Sequence, residues 1–68
     1  MLTPREREIA CLVAQGSTNR QIADALVITE GTAANHVLHI LNKLGFSSRS
    51  QIAAWAVQEG LLTPSRRG

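Results

Sequence analysis

The stretch TEGTAANHVLHILNKLG, residues 29–45, groups Thr29, Thr32, Asn35, His36, His39, Asn42 and Lys43. Hydroxyls, carboxamides and imidazoles at this spacing suit hydrogen-bond recognition rather than bond making, because an Asn side chain donates and accepts at once. His36 and His39 invite a metal reading. They stand about 60° apart on a helical wheel, but no Cys, Asp or third His is placed to complete a site. No metal or other cofactor is expected. No nucleophile sits with a paired base, no carboxylates are paired in a cleft pattern, and no glycine-rich phosphate loop occurs. Cys11 has no candidate base and reads as a surface or boundary residue. The chain is therefore not expected to be an enzyme, and it offers no catalytic residues.

Those polar residues need a frame. The chain has 68 residues, 44% hydrophobic and 3% aromatic, which predicts one small domain with an aliphatic core. Seven Lys and Arg against five Asp and Glu give a net charge of +2. That balance permits a polyanionic partner without demanding one. The single Cys fits a reducing compartment. No apolar run approaches the roughly 20 residues of a membrane span, and the N-terminus lacks the apolar core of a signal peptide. A cytoplasmic location with no membrane partner is the expectation.

Start and stop signals divide the chain into four helices, at about residues 4–15, 19–26, 30–44 and 49–59, with no strand. Thr3 with Pro4 and Glu6 reads as a capping box carrying a proline at the first helical position. Thr18 with Gln21 and Ser48 with Gln51 repeat the box, Thr29 caps the third helix, and Gly16, Gly45 and Gly60 are stops. Phe46 is expected to fold back as the apolar contact after a glycine cap. The alternating charges Arg5, Glu6, Arg7 and Glu8 read as a solvated first turn in which Glu6 caps. Ala33, Val37, Ile40, Leu41 and Leu44 form the buried stripe of the third helix. The last residues, 63–68, read as a flexible tail after a domain over 1–62.

The second and third helices are joined by only about three residues, which favours a steep crossing, the helix-turn-helix. Any small helical bundle with one short loop shares that spacing. At this point the sequence resembles a known family. LTPRERE, GSTNRQIA, LVITEGT, HVLHILNKLG and SRSQIAAWA, in this order, look like a LuxR-type (GerE-type) DNA-binding domain over residues 2–62. The resemblance implies an all-α four-helix domain that binds double-stranded DNA as a homodimer. The third helix would enter the major groove and the fourth would form the dimer contact. It also implies that such a domain follows an upstream regulatory domain, so the chain reads as a fragment or a stand-alone version. The promoter-reading domain of sigma factors shares LTPRERE and the helix-turn-helix, but the fourth helix favours the LuxR type. A small helical protein-interaction module, using Trp55 and the Leu38 face, is the competing function.

On the third helix, stepping about 100° per residue, the face opposite the stripe carries Gly31, Asn35, Leu38, His39 and Asn42, with Ala34, Thr32 and Lys43 flanking. Asn35 is the first candidate for a base contact, pairing with adenine N6 and N7. Leu38 and Ala34 are candidates for a thymine methyl, and His39 for a further DNA contact. His36 lies towards the buried edge. Thr18, Asn19 and Arg20 on the second helix, and Thr29, Thr32 and Lys43 on the third, are candidates for phosphate, with two helix N-termini behind them. The family usually shows Val-Lys where this chain has Ala33-Ala34, and often Lys or Arg at Leu38. Those departures predict fewer phosphate contacts and a shallower salt dependence. On the fourth helix Arg49, Ala53, Ala56 and Gly60 are expected to pack inward. Gln51, Trp55, Gln58 and Leu62 share another face, and Gln51, Trp55 and Gln58 are assigned to the dimer seam.

Overall fold

The computed structural model describes residues 2–61. Met1, Leu62 and the tail expected at 63–68 lie outside the described residues. Four helices follow in order: α1 Pro4–Ala14, α2 Asn19–Leu26, α3 Glu30–Leu44 and α4 Arg49–Gln58. The described residues are otherwise turns and bends, so the expected all-α class stands. Helices α1 and α4 end one residue earlier than their patterns suggest.

Each helix begins where its side chains satisfy free backbone N–H groups. Thr3 Oγ1 accepts from Glu6 N at 3.1 Å, and Glu6 Oε1 accepts from Thr3 N at 2.9 Å. Thr18 and Gln21 repeat the exchange at 3.1 and 2.8 Å. Thr29 Oγ1 accepts from Thr32 N at 3.1 Å and donates to Thr32 Oγ1 at 2.8 Å. At α4 the box is one-sided. Gln51 Oε1 accepts from Ser48 N at 3.0 Å and Ser47 N at 2.7 Å, while Ser48 makes no side-chain cap bond.

The core is aliphatic. Ile9, Ile22, Ile40 and Ile52, one from each helix, are fully buried, joined by Ala10, Ala23, Ala33 and Ala56 where helices approach closely. Leu26, Ile28, Leu41 and Leu44 complete it from the edge. Phe46 does fold back: its N–H bonds Leu41 O at 2.9 Å and its ring packs on the core. Helix α1 packs most extensively on α4, and α2 on α3, so the core fastens two pairs together.

Three connections were not visible in the sequence. Arg49, expected only to pack inward, donates to Asn19 Oδ1 and to Ser17 O, both at 2.6 Å. This guanidinium fixes the start of α4 against the start of α2. Lys43 Nζ reaches Glu6 Oε1 at 2.8 Å, tying the last turn of α3 to the first turn of α1. Glu6 is therefore no solvated charge but a buried one. Finally, Val27 closes α2 in the left-handed conformation, φ 57° and ψ 49°. Gly60, expected to pack inward, is exposed beyond the end of α4.

Candidate nucleic-acid interface

The buried stripe of α3 fixes what its other side presents. With Ala33, Val37 and Ile40 buried, the helix turns Gly31, Asn35, Leu38, His39 and Asn42 outward, all exposed. Ala34 and Thr32 flank them and are exposed too, while His36 is half-buried at the edge. Leu38, with 52% of its surface exposed, is the large apolar side chain on this face. Asn35, Leu38 and Asn42, three and four residues apart, lie along one outward ridge.

The short link holds this ridge at the surface. Val27, Ile28 and Thr29 alone separate α2 from α3. Ile28 N bonds Ala23 O at 2.9 Å, and its side chain packs on the core, plugging the turn. The N-termini of α2 and α3 each carry a hydroxyl cap, and the exposed Arg20 sits in the first turn of α2. An anion at either end meets unpaired N–H groups and the positive end of a helix dipole. Asn19 is half-buried and gives its Oδ1 to Arg49, which leaves its amide protons as donors. Thr18, Thr29 and Thr32 are exposed, with hydroxyls already engaged in capping.

The ammonium of Lys43, a sequence candidate for phosphate, bonds the buried Glu6 carboxylate at 2.8 Å while its side chain stays 39% exposed. Glu6 has an acidity to match. The Lys43 hydrogen bond first, then the Thr3 N–H, lower its pKa from 4.5 to about 2 against the opposing cost of burial. Lys43 thus links the last turn of α3 to the first turn of α1. The outward ridge keeps no lysine or arginine between residues 31 and 42.

Helix α4 also differs from expectation. Trp55 is half-buried and packs against the core rather than standing clear. The exposed strip is Ser50, Ala54 and Val57, with Gln51 and Gln58 alongside; Val57 is 58% exposed. A wheel centred on buried Ile52 and Ala56 locates this strip, but not on Trp55. Away from α3, an open groove of about 590 Å³ runs between α1, the end of α2 and the segment after α4, lined by Pro4, Leu12, Ala25, Leu26 and Leu61 among others. No residue of α3 lines it. No described helix is long and apolar enough to cross a membrane.

Residues 1–56 match the family described as bacterial regulatory proteins, luxR family. The chain is 52% identical over 58 residues to the nitrate/nitrite response regulator protein NarL of Escherichia coli K12, covering 85% of this chain and 27% of that protein. It is 46% identical over 61 residues to the transcriptional regulatory protein LiaR of Bacillus subtilis 168, covering 90% and 29%. It is 45% identical over 62 residues to the response regulator protein VraR of Staphylococcus aureus NCTC 8325, covering 91% and 30%. The chain spans less than a third of the length of each of these relatives.

Proposed function

The chain belongs to the luxR family of bacterial regulatory proteins, with the helix-turn-helix fold of that family's DNA-binding domain, and from that premise we propose that it reads specific duplex DNA with α3 in the major groove. The carrying observation is the exposed ridge Asn35, Leu38 and Asn42, set against a short α2 and flanked by two capped helix N-termini. Asn35, Leu38, Ala34 and His39 face the bases in this reading. Thr18, Asn19, Arg20, Thr29 and Thr32 face the phosphates, with the helix N-termini supplying much of the hold. Lys43 is a positioning residue, acting through Glu6.

The domain works in the bacterial cytoplasm as part of a transcription regulator and performs no catalysis. The relatives are longer and carry response-regulator names, which supports a role downstream of a signal-receiving domain. Two copies meet along α4, with the uncharged strip of Ala54 and Val57 at the seam, Gln51 and Gln58 bonding around it, and the outer edge of Trp55 beside them. A centre low in charge with a polar rim is the composition of an association surface.

Selection from a random duplex pool at several salt concentrations tests the main reading. The expected product is a motif with two-fold symmetry; no enrichment even at low salt removes DNA reading. Sedimentation of the wild type and Val57→Lys tests the seam, with weaker self-association expected for the variant.

A further inference from the structure

We infer that the half-site read by α3 centres on A·T pairs and that a thymine methyl, met by Leu38, carries part of its affinity. This rests on the DNA-reading proposal above and specifies its target. Guanine is most often recognised by Arg or Lys bonding O6 and N7 together. Between Gly31 and Asn42 this helix has neither residue, and the cation that follows is held by Glu6 at 2.8 Å. What the ridge does offer is specific. Asn35 and Asn42 present carboxamides, whose paired donor and acceptor match adenine N6 and N7. Between them Leu38 presents an apolar surface, 52% exposed, with exposed Ala34 one turn earlier. In the major groove the matching apolar feature is the thymine C5-methyl. His39 does not reproduce the guanine contact of Arg or Lys, because one imidazole N–H cannot bond O6 and N7 together as those side chains do.

The probe is the duplex selected from the random pool, with each thymine replaced in turn by deoxyuridine, which lacks only the methyl. At one thymine per half-site, replacement should weaken wild-type binding about four-fold, the effect of exposing one buried methyl-sized group. Leu38→Ala, whose fold is checked by helicity, should bind the thymine and uracil duplexes equally. Replacing that T·A pair with C·G should weaken binding further, and 5-methylcytosine there should regain part of the loss that cytosine causes. A selected motif with a G·C core overturns the inference. So does a uracil penalty that persists in Leu38→Ala. Either result leaves DNA reading intact, whereas failure to select any motif removes both.

Discussion

The two ends of α3 are held by different means. At its end, Lys43 is bonded to a buried carboxylate, Gly45 turns the chain at φ 70°, and Phe46 folds back onto the core. At its start, Thr29, Glu30, Gly31 and Thr32 are all exposed, and the bonds that hold them are local. Both ends use the same left-handed corner. One fills it with glycine, which adopts it freely. The other uses Val27, a β-branched residue in a conformation it disfavours, with 90% of its surface exposed. The contrast separates anchoring from presentation. At the anchored end, a buried carboxylate and a ring packed on the core tie the helix across the fold. The end proposed to meet DNA rests on a hydroxyl cap and a strained turn, the kind of region that opens first.

The largest test of this contrast is Glu6→Ala. It removes half of a capping box and leaves Lys43 without its partner; after allowing for the half-exposed ammonium, about 2–3 kcal/mol of stability should go. Urea denaturation measures it. Glu6→Gln should lose less, because an amide oxygen still accepts from Thr3 N. Thr29→Ala, at the presenting end, should cost only about 1 kcal/mol. If Thr29→Ala costs as much as Glu6→Ala, the division between the two ends is wrong. Gly45→Val comes next, with about 0.5–1 kcal/mol lost once the reduced freedom of the unfolded chain offsets the strained corner.

Acid tests the same anchor through its charge. The folded pKa of Glu6 lies near 2 and its ordinary value is 4.5. Ionised Glu6 therefore contributes stability that is fully present above about pH 4.5 and is lost as pH falls from there towards 2. Urea midpoints at pH 6 and pH 3 should differ more for the wild type than for Glu6→Gln. Equal differences would mean that the Lys43 pair adds nothing.

What the sequence disclosed and what it hid follow the range of the forces involved. Capping boxes act over three residues and glycine stops over one, so all four helices and the fold of Phe46 were readable. The outward face of α3 was readable too, because a buried stripe dictates its opposite. The Lys43–Glu6 pair spans 37 positions and the Arg49–Ser17 bond spans 32. Nothing local marks either, so Lys43 looked like a free cation. Trp55 misled for a related reason. Its neighbours on the wheel are polar, but a ring that large reaches the core from the edge of the buried face. Val27 was hidden by its own type, since a valine argues for any conformation except a left-handed one.

Val27 also supplies the smallest and sharpest prediction. Glycine there removes a left-handed penalty of roughly 1–2 kcal/mol but adds backbone freedom to the unfolded chain worth about 0.5–1 kcal/mol. The side chain is almost wholly exposed, so little packing is lost. Val27→Gly should therefore raise stability by about 0.5–1 kcal/mol, read as a higher urea midpoint with an unchanged slope. Val27→Asn, which tolerates the same corner, should gain in the same direction, and Val27→Ile should change almost nothing. A destabilised Val27→Gly would show that the valine side chain supports the turn in a way its exposure conceals. The two ends of α3 would then be alike in being anchored, and the contrast between them would fall.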